Sequence, residues 1–129
     1  MKEFAAMEWQ RAHRTLASGK QLARTDPDSA ASRAYYAAFH ALAALFALRG
    51  QTFSKHSAMR AALHRELVHP GHWITELGQA YDFLMELRET GDYGGLAQVS
   101  QRDAKMSLEK ASAIIKEVRR TCPELEKGA

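Results

Sequence analysis

Between Ser29 and Ser54 the chain reads SAASRAYYAAFHALAALFALRGQTFS, and this run constrains the fold more than any other feature. Alanine fills positions 30, 31, 34, 37, 38, 41, 43, 44 and 47, while Arg33 and Arg49 are the only charged side chains. Alanine is the strongest helix former. A helix that is apolar nearly all round is buried nearly all round. Asp26-Pro27 supplies an N-cap and a first helical residue, and Gly50 a C-terminal stop, so the spacing predicts a helix over 27–49. Its small side chains let neighbouring helices come close, which makes it the central member of a bundle.

The flanking sequence supplies those neighbours. Residues 3–24 repeat Phe4, Met7, Ala12, Leu16 and Leu22 at helical spacing. Ser54 is a candidate cap for a short helix over 55–68, stopped by Pro70-Gly71. Thr75 opens a helix over 75–90 that Gly91 is expected to end. Ser100 with Asp103 resembles a capping box for a last helix carrying Ala104, Leu108, Ala111, Ile115, Val118 and Cys122, closed by Pro123. No segment alternates with period two, so a sheet is not expected. The predicted fold is all-α: one antiparallel, up-and-down four- to five-helix bundle over 1–122, with 123–129 a frayed tail. A length of 129 residues suits a single domain.

Composition removes several functions. One cysteine rules out an intramolecular disulfide and a cysteine-based zinc site. His64, His69 and His72 match no standard metal spacing, and Gly91, Gly94 and Gly95 lack the Lys-Ser/Thr of a phosphate loop. No metal or cofactor is therefore expected. No apolar stretch approaches the roughly 20 residues of a membrane span. The opening Met1-Lys2-Glu3-Phe4 does not read as a signal peptide, so the expected location is cytoplasmic. Net charge is +3 but unevenly spread: +6 through Arg65 and −3 beyond it. Such a division steers an anionic ligand or docks a second copy of the chain.

Arg33, Tyr36 and His40 stand at i, i+3 and i+7 of the central helix and share one face. Two readings follow. In one, Arg33 is ion-paired inside the bundle, for instance with an acid of the fourth helix. In the other, the three line a cleft in which Arg33 holds a phosphate, Tyr36 orients it and His40 exchanges a proton. Lys55 and His56, at the start of the third helix, form an outer anion contact. His56, Arg60 and His64 make a further basic stripe. Trp9, Trp73 and Cys122 are read as packing residues.

The run Ser32-Arg33-Ala34-Tyr35-Tyr36-Ala37-Ala38-Phe39-His40-Ala41 resembles the signature helix of HEPN domains (higher eukaryotes and prokaryotes nucleotide-binding). Phe53-Ser54-Lys55-His56-Ser57 and Leu87-Arg88-Glu89-Thr90-Gly91-Asp92-Tyr93 fit the same prokaryotic branch in order and spacing. The resemblance implies a homodimeric bundle that binds RNA or a nucleotide, often as one half of a toxin–antitoxin-like pair with a nucleotidyltransferase. Arg88, Asp92 and Tyr93 join Arg33, Tyr36, Lys55 and His56 as phosphate-contact candidates. Catalytic relatives are metal-independent ribonucleases marked by Arg, four to six residues, then His. Here no histidine follows Arg88, and Asp92 stands nearest the expected place. Arg33 and His40 form a literal Arg-x6-His on another helix, and are the candidate catalytic pair. The alternatives to a phosphate-binding component are thus a toxin endoribonuclease, or a non-catalytic dimeric scaffold with Arg33 and Arg88 ion-paired inside.

Overall fold

The computed structural model describes residues 1–93 and 98–127; of Tyr93 the backbone only is described. The elements are α1 (Lys2–Leu22), α2 (Pro27–Leu48), α3 (His56–Leu63) continued by a π turn (His64–Val68), α4 (Thr75–Tyr93), α5 (Gln101–Thr121) and a 3-10 turn (Pro123–Glu126). There is no strand among the described residues. The result is an antiparallel helical bundle, as the patterning predicts.

The alanine-rich α2 is its axis. Twelve of its residues are buried, among them Ala30, Ala34, Ala38, Ala41, Ala44 and Ala47, and it packs against α1, α3, α4 and α5. Tyr35, Leu42, Leu45 and Phe46 are fully buried between those neighbours. Each such apolar side chain stabilises the fold by about 1.5–3 kcal/mol. α5 presents Ala104, Leu108, Ala111, Ile115 and Val118 inward, so its seam is spent within the bundle.

The caps follow the sequence with one exception. Asp26 accepts the Ser29 backbone N–H at 3.3 Å, and Ser100 accepts that of Asp103 at 3.0 Å. Gly50 follows α2 at φ +78°, the left-handed conformation that a C′ position favours. The N-cap of α3 is Lys55, without a side-chain cap, rather than Ser54.

Two expectations are corrected. Gly91 does not end α4, which continues to Tyr93. Its role is close approach: a Cβ there would lie 2.9 Å from the Asp28 carbonyl oxygen at the start of α2. The tail is not frayed through 127. Pro123–Glu126 forms a 3-10 turn with Leu125 buried, and Trp9 Nε1 donates to Glu126 at 3.1 Å. A second apolar residue shortly after Cys122 folds the chain back over α1, and the carboxylate satisfies an indole that would otherwise be orphaned. Residues 128–129 lie outside the described residues. Trp73 is likewise buried, donating to Thr121 at 3.0 Å.

The Gly91 contact predicts that Gly91→Ala lowers the urea midpoint of unfolding. Overpacking costs about 1–3 kcal/mol, more than the ~1 kcal/mol that alanine gains in a helix. An unchanged or raised midpoint would show that α4 and α2 are not this close.

Candidate functional site

The polar residues of α2 occupy one flank of an otherwise buried helix. That flank opens into a cleft of about 650 Å³. α2 contributes Ser32, Arg33, Tyr36 and His40; α1 forms the facing wall with Arg11 and Thr15; Asp92 of α4 lies at its edge. The i, i+3, i+7 spacing thus brings Arg33, Tyr36 and His40 to one hollow.

Their states differ. Arg33 is exposed and has no ion pair or hydrogen bond with a described residue. The interior ion pair that the sequence also allowed for it is not formed, because position 33 sits at the edge of the buried face. Tyr36 is partly buried and accepts a hydrogen bond from Arg88 Nη1 at 2.9 Å. The Arg88 guanidinium lies 5.2 Å from the Tyr35 ring centroid and 5.7 Å from that of Tyr36. Burial pulls its pKa down, but the Tyr36 hydrogen bond and the electrostatic interactions with Tyr36, Tyr35 and Asp92 leave it raised above the usual arginine value. Arg88 therefore stands behind Tyr36, fixing the ring that forms part of the cleft wall.

His40 Nδ1 lies 2.8 Å from Glu8 Oε2 on α1. Glu8 is 4% exposed, and its other oxygen takes Arg11 Nη1 at 3.4 Å. A buried carboxylate is costly unless charged or hydrogen-bonding partners meet both oxygens; here an imidazole and a guanidinium do so. Glu8, Arg11 and Thr15 were missed in the sequence. The signal existed for Glu8: it falls on the buried stripe Ala5, Ala12 and Leu16 of α1, where an acid is anomalous.

The remaining candidates are not all in the cleft. Lys55 is exposed and His56 partly buried, and neither lines it. His56 instead turns inward: its Nδ1 is 2.7 Å from the Tyr35 hydroxyl, which accepts from Tyr81 at 3.3 Å. Its ring also meets Phe39 and Tyr36 edge-on, at 5.2 and 5.7 Å. An apolar-aromatic setting costs least for the neutral ring, and burial, then the Arg88 charge, push the His56 pKa below its ordinary value. Arg60 and His64 both bind Asp82, at 2.8 and 3.0 Å, so the stripe predicted with His56 is not a shared anion surface. The Tyr93 side chain lies outside the described residues. No group of histidines, cysteines and acids among the described residues is arranged to hold a metal. A second basic hollow, lined by Lys20, Arg24 and Lys105, lies between α1 and α5.

Comparison with known proteins places this geometry in context. Residues 6–121 match the model of the HEPN domain. The chain is 35% identical over 129 residues to a UPF0332 protein of Thermotoga maritima, covering 98% of each. The crystal structure of TT1696 from Thermus thermophilus superposes with a TM-score of 0.77 at 21% identity, over 90% of this chain and 96% of that one. That likeness concerns the fold alone.

His56 and His13 generate a pH prediction. Burial, first among the causes for both, sets their folded pKa below the ordinary 6.5. The unfolded chain then binds more protons below that pH, so stability is full above about 6.5 and is lost as pH falls through the lowered values. The unfolding midpoint should drop between pH 7 and 5, and His56→Gln should flatten the drop. A midpoint that rises on acidification over this range would contradict the assignment.

Proposed function

The chain belongs to the HEPN domain family, and from that premise we propose that its α1–α2–α4 cleft binds the phosphate of a nucleotide or RNA. Family membership supports a nucleotide- or RNA-related role in general. The observation that carries the specific reading is Arg33: an exposed guanidinium without a partner among the described residues, on the same hollow as Tyr36 and His40. Guanidinium groups match phosphate oxygens through paired N–H donors. Arg11, Ser32 and Thr15 add donors from both walls, and Tyr36, held by Arg88, orients the ligand. Lys55 and His56, outside this hollow, have no part in it, while Asp92 limits how much negative charge the rim tolerates. No described helix is long and apolar enough to cross a membrane. The protein acts in this reading as a homodimer and as one component of a toxin–antitoxin-like pair with a nucleotidyltransferase, in keeping with its family.

A second reading, metal-independent RNA cleavage, is favoured by one observation, the Glu8–His40 pair. An imidazole backed by a carboxylate is suited to proton transfer. Arg88 with Asp92 is the weaker alternative, because no imidazole accompanies it.

Two measurements test these readings. Arg33→Ala should weaken pyrophosphate or nucleotide binding by about 10- to 100-fold, the worth of a charged hydrogen bond. Its free energy of unfolding should change by no more than about 0.5 kcal/mol, as at other surface sites. Unchanged affinity in the folded variant would remove Arg33 from the site. Incubation of the purified protein with RNA in EDTA separates binding from cleavage. Under the second reading RNA is cut, and His40→Ala slows it by about 10²–10⁴; cleavage indifferent to that substitution would reject the pair.

A further inference from the structure

The cleft contains one pairing that phosphate binding alone does not require. Glu8 is a carboxylate buried on the apolar stripe of α1, where a methyl group would pack at lower cost. It reaches across to α2 and meets His40 at Nδ1, 2.8 Å away. An ionised carboxylate only accepts hydrogen bonds, so Nδ1 of the neutral ring carries the proton and Nε2 carries the lone pair. Nε2 has no partner among the described residues. It is also absent from their buried unsatisfied side-chain atoms, where only His13 Nε2 is found. With His40 lining the cleft, this leaves Nε2 open to it. The ring is held between Phe39, edge-on at 5.8 Å, and Tyr36 at 6.3 Å.

The cleft is otherwise rich in donors. Arg33 and Arg11 donate only, and the hydroxyls of Ser32, Thr15 and Tyr36 each have a proton to give. The oxygens of an ionised phosphate accept from such groups and have no proton to offer a lone pair. A ligand that satisfies both Arg33 and Nε2 bears a phosphate and, a short distance away, a hydroxyl donor. Seven residues separate Arg33 from His40, a rise of about 10 Å along the helix. That separation exceeds a single phosphate group and leaves room for the sugar that carries it. A ribose hydroxyl is also the group by which a protein separates RNA from DNA.

We propose that Glu8 is a positioning residue that fixes His40 so that its Nε2 accepts a hydrogen bond from a ribose hydroxyl, making the cleft selective for ribonucleotides over their deoxy counterparts. This rests on the phosphate reading of the preceding subsection and adds to it the sugar. Arg11 shares the Glu8 carboxylate and holds it in place from the α1 side.

The test compares adenosine 5′-monophosphate with its 2′-deoxy and 3′-deoxy analogues and with inorganic pyrophosphate, on the full chain; none of the three mononucleotides contains an internucleotide bond to cleave. Loss of one hydroxyl should weaken binding by about three- to tenfold, the worth of a single neutral hydrogen bond. Nitrogen NMR of the wild-type side chain should show His40 as the Nδ1–H tautomer, with Nε2 shifting on addition of adenosine 5′-monophosphate. Glu8→Gln should mix the tautomers and shrink the preference for the full ribose, while Lys105→Ala, on α5 in the second basic hollow, should leave it intact. Equal binding of all three mononucleotides, or a wild-type Nε2–H tautomer, overturns the proposal, and both observations are made on wild type whether or not Glu8→Gln folds. If pyrophosphate binds and Arg33→Ala abolishes it while the mononucleotides are not told apart, the phosphate reading survives and the sugar proposal fails. If neither pyrophosphate nor any mononucleotide binds, both fail.

Discussion

The close packing of α2 governs everything else in this molecule. Its alanines along the buried face are fully enclosed, and their small size lets α1, α4 and α5 all press against one helix. A helix surrounded in this way has no room for a charge except at the edge of its buried surface. Arg33, Tyr36 and His40 lie along that edge. The candidate flank is a consequence of core geometry: where α2 is not covered, polar side chains are both permitted and concentrated.

Burial then sorts the charges by environment. Arg88, partly buried, is committed to Tyr36 and to the faces of two tyrosines. Arg11 is tied to Glu8, and Glu8 to His40. Arg33 alone of these arginines stands exposed without a partner among the described residues. A guanidinium already bound to a protein group must give up that bond to take a ligand, whereas Arg33 has no such bond to a described residue. The result is a hollow in which a framework of hydrogen bonds surrounds a cation that has no partner among the described residues.

Much of this could be read from the sequence, and the limits have physical causes. The helices, the Asp26 and Ser100 caps and the central place of α2 follow from local pattern, which a linear reading sees. The common face of Arg33, Tyr36 and His40 follows from helical periodicity. Contacts between helices are another matter. Nothing local to His40 points to Glu8, 32 residues earlier, except that an acid interrupts the apolar stripe of α1. His56 shares a sequence motif with Lys55, yet its ring turns toward Tyr35, because burying an imidazole against a phenol is a tertiary event. Gly91 reads as a helix stop when only its propensity is weighed. Its role is steric, set by the backbone of Asp28. The tail misled for a similar reason: Arg119 of α5 meets one Glu126 oxygen, but the indole of Trp9 that takes the other arrives only once α1 lies beside it.

The most direct measurement is side-chain nitrogen NMR of the arginines, lysines and histidines during titration with a ribonucleotide. Arg33 Nε and His40 Nε2 are expected to move together and saturate at one ligand concentration, while Lys20, Arg24 and Lys105 remain still. Perturbation confined to that second basic hollow, with Arg33 and His40 unmoved, would contradict a ligand site on the open flank of α2.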